Sequence, residues 1–277
     1  MSLHRLGYAG PLVGTPTVRW EEGRPSEREE QIVEETPVAI VYNGIPHVVM
    51  MATPTDLEDF ALGFSLTEEL IGAREELERL EVERYGRGVE IKATVAAHRG
   101  DAIAERTRRL TGRTGCGICG ADSVDAVLKQ IHPVRGTGPI RVSAVQRALE
   151  ALTAQQPLNE ASGAVHAAAW ATADGALALV REDVGRHNAL DKLIGAAVTA
   201  EVDPAAGFVV VTSRASFEMV QKATVLGAPL LAAISGPTGL AVRVARESGL
   251  TLVGFARRGR LNVYTHAERI VGDQGPS

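Results

Sequence analysis

The sequence predicts an α/β fold, α+β overall, in which a C-terminal half built on a mixed, largely parallel sheet follows a smaller N-terminal α+β unit. Three observations carry that expectation. From about residue 187 onward, helical stretches alternate with short apolar runs, the rhythm of βαβ units. Upstream, the hairpin dipeptides Asn43-Gly44 and Asp174-Gly175 each separate two apolar runs. The 277 residues, 45% hydrophobic and 23% charged, have globular usage and enough length to bury a core unaided; with 2 cysteines no disulfide framework is expected.

Residues 1–36 are polar and rich in Pro, Arg and Glu, and read as a weakly ordered lead-in. The N-terminal unit, 37–110, starts with the hairpin around Asn43-Gly44. Thr55 and Glu58 then form a capping-box pair, and Leu57, Phe60, Ala61, Phe64 and Ile71 keep helical spacing up to Gly72. A strand is expected over 89–96. Residues 97–120 break the pattern, carry Arg106, Arg108, Arg109 and Arg113, and read as a mobile loop rich in glycine at its end. Residues 111–135 hold the only cysteines and a helix expected after Asp122, with Val124, Val127, Leu128 and Ile131 on one face. The C-terminal unit, 136–270, begins with a helix over 143–153 and two strands, 165–171 and 176–181, joined at Asp174-Gly175. Helices over 187–199, 217–226 and 238–247 then alternate with strands over 208–212, 230–234 and 250–255. A last strand over 261–265 precedes the tail, 271–277.

Acidic residues outnumber basic ones, 34 to 29, for a formal charge of −5, which argues against a nucleic-acid partner. No stretch approaches the ~20 apolar residues of a membrane span, and the N-terminus lacks the apolar segment of a secretory signal. A cytoplasmic protein with no membrane partner is expected.

Ligands of open α/β sheets bind outside the carboxyl ends of the strands. Three such ends are polar here: Thr212-Ser213-Arg214-Ala215-Ser216, Ser235-Gly236-Pro237-Thr238 and the run from Phe255 to Arg260. The first two open helices, whose free N–H groups and positive dipole ends attract anions, and Arg214, Arg257, Arg258 and Arg260 add guanidinium groups. Ser213, Arg214, Ser235 and Thr238 are therefore candidate contacts to a phosphate-rich ligand. Taken singly, each reads first as a helix cap or a solvated side chain; the convergence of three loops on one edge favours the ligand reading.

Cys116 and Cys119 form a C-x-x-C pair among glycines, behind a basic segment and before a helix start, where positive potential favours thiolate over thiol. Three chemistries compete for it: half a zinc site, a redox pair and a sulfur carrier. Zinc lacks its second pair of ligands, since there is no other C-x-x-C. A thioredoxin-like pair ordinarily follows a strand, whereas this one follows a basic loop. The run from Arg181 to Lys192 is the densest polar stretch of the C-terminal unit. His187 is its candidate acid, base or ligand contact, Asn188 a hydrogen-bonding partner, and Asp183 a group that orients Arg186 or His187. His266-Ala-Glu268 has the spacing of a zinc deaminase but the wrong order relative to the cysteines.

Together, Gly115-Cys-Gly-Ile-Cys-Gly120, the Arg181 to Lys192 run, Ser213-Arg-Ala-Ser-Phe-Glu-Met219, Leu252-Val-Gly-Phe255 and Asn262-Val-Tyr-Thr265 resemble the formate dehydrogenase accessory sulfurtransferases, the FdhD family. Pro54 to Phe64 adds to the likeness, which spans about residues 37–270. One departure is Ser235-Gly-Pro-Thr-Gly239 in place of Ser-Ala-Pro-Thr-Ser, which removes a hydroxyl at Gly239.

The resemblance implies a sulfurtransferase required for formate dehydrogenase activity. Such a protein carries persulfide sulfur from a cysteine desulfurase to the molybdenum cofactor, bis-molybdopterin guanine dinucleotide, before its insertion into apo formate dehydrogenase. It also implies a cytidine-deaminase-like C-terminal domain without zinc, GDP as a ligand analogue, and a homodimer. By motif position it assigns the persulfide to Cys116 with Cys119 as partner, and cofactor binding to Phe255, Ala256, Arg257, Arg258, Gly259 and Arg260, which His187 and the polar strand ends join. The reading from another class is a non-catalytic cofactor-binding chaperone whose C-x-x-C serves docking or redox sensing.

Overall fold

The computed structural model describes residues 10–85, 88–110, 131–136, 138–257 and 259–273. Strands β1 (Leu12–Glu21) and β2 (Arg24–Val33) pair antiparallel along their whole length, from Leu12↔Val33 to Glu21↔Arg24. Over residues 12–33 this corrects the weakly ordered lead-in expected over 1–36, of which 1–9 lie outside the described residues. Across the hairpin Arg19 meets Glu30 at 3.0 Å and Arg28 meets Glu21 at 3.3 Å. Composition alone does not reveal such cross-strand pairs.

Strands β3 (Thr36–Tyr42) and β4 (Ile45–Ala52) form the expected hairpin, with Asn43 and Gly44 at φ +47° and +82°. Helix α1 (Leu57–Thr67) follows, without the expected capping box. Asp56 occupies its N-cap in a left-handed conformation with no side-chain cap, and Thr55 Oγ1 instead lies 3.4 Å from Lys192 Nζ. A tertiary contact has displaced the local one. The helix also stops short of Gly72, because Glu69 turns to φ 57° and the Leu70 amide closes back onto the Ser65 carbonyl.

Strands β5 (Leu77–Tyr85) and β6 (Gly88–Val95) complete a four-stranded sheet in the order β4-β3-β6-β5, with β3 and β6 parallel. Helix α2 (Ala97–Leu110) fills the first part of the segment expected as a loop. Ile103 is buried, Thr107 Oγ1 meets His47 Nδ1 at 2.6 Å, and Arg99 and Arg106 bind Glu76 and Glu68. The many charges on its outer face conceal that narrow apolar seam. Cys116, Cys119, their loop and the helix expected after Asp122 lie outside the described residues.

In the C-terminal half, β7 (Ile140–Arg141) leads into helices α3 (Val142–Ala154) and α4 (Pro157–Ser162). Strand β8 (His166–Thr172) pairs antiparallel with β9 (Leu177–Asp183) through the Asp174-Gly175 turn. Helix α5 (Arg186–Thr199) and strand β10 (Gly207–Val211) come next. After them α6 (Phe217–Val225), β11 (Leu230–Ala233), α7 (Gly239–Ser248) and β12 (Thr251–Arg257) alternate as expected. Strand β13 (Arg260–Val263) closes the edge, and β14 (Ile270–Val271) pairs with β7. The main sheet has the order β13-β12-β11-β10-β8-β9; its centre, β10-β11-β12, is parallel, and the flanking strands are antiparallel. Successive residues point to opposite faces. Val209, Val211, Leu231 and Leu252 pack against α5, α6 and α7, while Phe208, Val210, Leu230 and Val253 pack against α3. Among the described residues no helix is long and apolar enough to cross a membrane.

The two sheets are joined through α1 and α5. A Cβ at Gly63 would stand 1.8 Å from the Asp191 carbonyl oxygen, and one at Gly195 would stand 1.9 Å from that of Asp59. Two glycines thus let the helix backbones touch. Beside the crossing, Lys222 Nζ binds Asp191 Oδ1 at 2.8 Å and Thr67 Oγ1 at 2.8 Å, all largely buried.

Candidate functional site

Because β10, β11 and β12 are parallel neighbours, their carboxyl ends release the chain on one edge. Backbone bonds then continue the sheet order into the turns. Ile234 N donates to Val211 O at 3.1 Å, Thr238 N to Ala215 O at 3.0 Å, and Phe255 N to Ser235 O at 3.2 Å. The turns over 212–216, 235–238 and 255–260 therefore form one crest.

The predicted residues occupy it differently. Arg214, Arg257 and Arg260 are exposed, and Gly259 has φ +74° in the turn between β12 and β13. Arg257 and Arg260 are direct partners across that ladder. Opposed cations repel each other, so an anion between them would relieve a cost already present in the fold. Thr238 Oγ1 accepts from Ala241 N at 3.2 Å and caps α7, and Ser235 lends its carbonyl to Phe255. Ser213 is buried with its hydroxyl on the Arg214 carbonyl at 3.1 Å, and Ala256 is buried, so both act through the backbone they hold. Arg258 lies outside the described residues.

Phe255 is the exposed aromatic of the crest. Its φ of +49°, unusual for a residue with a side chain, falls at an irregularity of the β12–β13 ladder between Gly254 and Arg257. The ring reaches Gly236: a Cβ there would stand 2.6 Å from Phe255 Cζ. Gly236 is thus the seat of this ring.

His187, in the first turn of α5, places Nε2 3.0 Å from Glu218 Oε2 in the first turn of α6. That contact holds the Glu218 carboxyl below its ordinary range. His166, which the sequence reading missed, opens β8 between the ends of β9 and β10; it is opposite Asp183, and the next residue, Ala167, donates its N–H to Thr212 Oγ1 at 2.9 Å. Burial, then Arg186 and His187, hold its ring pKa below the usual value. Only the strand order brings His166 here, and no local motif announces it.

The expected pairing of Asp183 with Arg186 or His187 does not form. Asp183 is fully buried, with Oδ2 2.7 Å from Lys192 Nζ and Oδ1 accepting from Gly185 N at 2.8 Å and Asn188 Nδ2 at 3.0 Å. A buried carboxylate needs a cation and several donors at once, and Lys192, at the end of the same motif, offers the cation without surfacing. The motif thus divides: Asp183, Asn188 and Lys192 build the floor, and Arg186 and His187 reach the crest.

Residues 33–271 match the model of the FdhD/NarQ family. The chain is 50% identical over 252 residues to the sulfur carrier protein FdhD of Xanthomonas euvesicatoria, covering 91% of this chain and 90% of that one. It is 47% identical over 252 residues to the sulfur carrier protein FdhD of Cupriavidus necator, covering 91% and 88%. A crystal structure described as that of a formate dehydrogenase accessory protein from Desulfotalea psychrophila superposes with a TM-score of 0.73 at 25% identity, covering 94% of this chain and 99% of that one. This chain belongs to the FdhD/NarQ family.

Proposed function

We propose that this chain is a sulfur carrier that serves formate dehydrogenase. One observation carries the reading: relatives with half their residues identical across nine-tenths of the chain are named sulfur carrier proteins. The Cys116 thiolate attacks the terminal sulfur of a persulfide on a cysteine desulfurase. The donor's S–S bond breaks, the donor leaves as a thiolate, and the sulfur remains on Cys116. Cys119 is its partner in the pair. The acceptor substrate is the molybdenum cofactor, bis-molybdopterin guanine dinucleotide, loaded before insertion into apo formate dehydrogenase.

The donor set of the crest suits the diphosphate of such a ligand, because backbone N–H groups at the start of α6 and forked guanidinium groups both favour phosphate oxygens. Exposed Phe255 offers a surface for a planar ring. A cytidine-deaminase-like C-terminal domain, a homodimer and a cytoplasmic site of action belong to the same reading.

Intact-mass spectrometry after incubation with a cysteine desulfurase and cysteine tests it. A persulfide adduct of about +32 Da is expected on the wild type and is lost in Cys116→Ala. An unmodified wild-type mass overturns sulfur transfer and leaves a chaperone that binds the cofactor without carrying sulfur.

A further inference from the structure

At the β9, β8 and β10 end of the crest, three side-chain atoms are enclosed without a hydrogen-bond partner among the described residues: Arg186 Nε, His187 Nε2 and Ser216 Oγ. His187 Nε2 faces the Glu218 carboxylate at 3.0 Å, which leaves Arg186 Nε and Ser216 Oγ as the groups without a counterpart. Buried polar atoms in native proteins are nearly always paired, so orphans gathered in one place mark a missing counterpart. Ser216 is 6% exposed and is the N-cap of α6, yet its hydroxyl accepts no N–H of the first turn. That is the bond an N-cap serine ordinarily makes.

The orphans sit at the first turns of two helices, α5 of 14 residues and α6 of 9. Their free amides and dipoles add to the same positive field. His166 lies within that field, as the downward effect of Arg186 and His187 on its ring records. Two carboxylates face the place from the packed elements. Glu218 has His187 against it, and Asp183 is occupied by Lys192. What remains is a set of donors awaiting an acceptor.

We propose that Arg186, His187, His166 and Ser216, at the first turns of α5 and α6, form a subsite for a compact oxyanion of the phosphoryl class, distinct from the Arg257 and Arg260 hairpin. Strand spacing supports the separation. β10 and β12 are two strands apart, roughly 10 Å, farther than the adjacent phosphoryl groups of one diphosphate. The subsite therefore takes either another phosphoryl group of a large nucleotide or a free anion. The inference rests on reading this edge as the ligand face and is independent of sulfur transfer.

Calorimetric titration of the full chain with inorganic phosphate, and separately with GDP, tests the subsite. Phosphate affinity is expected to fall about tenfold or more in Arg186→Gln and severalfold in Ser216→Ala. A parallel loss of GDP affinity in Arg186→Gln means that a nucleotide phosphoryl group fills the subsite. Unchanged GDP affinity means that a free anion does. NMR of the wild-type imidazoles needs no variant, and phosphate is expected to move the His166 and His187 ring signals. Phosphate binding untouched by Arg186→Gln and Ser216→Ala, or ring signals that stay still at saturating phosphate, overturns the proposal. Persulfide loading of Cys116 is a separate readout, so failure there leaves this test intact.

Discussion

Lys192 Nζ and Asp183 Oδ2 meet 2.7 Å apart with neither side chain exposed. Lys192 also donates to Thr53 O at 2.9 Å and Glu182 O at 3.2 Å, while Asp183 accepts from Thr53 N at 2.9 Å. The pair thus ties the end of β4 to the turn that presents Arg186 and His187. Burial pushes Lys192 below its usual range, and Asp183 opposes that push.

Removing one partner of a buried pair strands the other charge, at a cost of about 3–5 kcal/mol. Lys192→Met is therefore expected to lower the denaturant midpoint strongly, and Lys192→Met combined with Asp183→Asn to lower it by less than the sum of the two single changes. A loss under about 1 kcal/mol for Lys192→Met would show that the pair does not hold this junction.

The α1–α5 crossing makes a second stability prediction. Gly195→Ala adds one methyl where 1.9 Å separates it from the Asp59 carbonyl, so the backbones must part and loosen the Lys222–Asp191 contact beside them. A cost of about 3 kcal/mol is expected, at the upper end for overpacking, because the obstacle is main chain that no rotamer can move aside. Chemical denaturation measures it. A neutral substitution would mean that the helices cross less closely.

His47 adds its own component to the acid limb of the stability curve. Burial, assisted by Arg106, lowers its pKa to about 4 from the ordinary 6.5. The unfolded chain therefore binds its proton first. His47 contributes fully above pH 6.5; the contribution declines as pH falls from 6.5 to about 4, and is constant below. Because the ring is partly solvated, the expected size is about 1 kcal/mol after screening. Denaturation of the wild type and His47→Asn at pH 7, 5 and 4 measures it: the variant should show a flatter profile over that window. Parallel profiles would reject the assignment.

The C-terminal alternation was legible because buried strands there are continuous apolar runs and the helices end on Gly227 and Gly249, both left-handed at φ +79° and +78°. The hairpin of β1 and β2 was not, since its backbone ladder carries mostly polar side chains that composition reports only as polarity. Helix α2 hides behind its charges for the same reason. At the site, strand-end polarity located the crest, but His166 and Glu218 reach it through strand order and helix packing. Lys192 had no role assigned from the sequence, and the fold buries it against Asp183.

Arg257 and Arg260 make a last prediction, in which stability and binding move in opposite directions. As direct partners across the β12–β13 ladder they repel each other in the free protein. Arg260→Glu turns that repulsion into attraction, and a gain of about 0.2–1 kcal/mol in thermal or chemical stability is expected. The same change removes a guanidinium from the crest and adds a carboxylate, so GDP binding is expected to weaken by about tenfold or more. Neutralising Arg257, Arg258 and Arg260 together should weaken it further while leaving the persulfide adduct on Cys116 intact. Titration calorimetry with GDP and a denaturation curve on the same preparations separate the two effects. If Arg260→Glu stabilises the chain and GDP affinity does not change, the hairpin is a strained edge and not a phosphate contact.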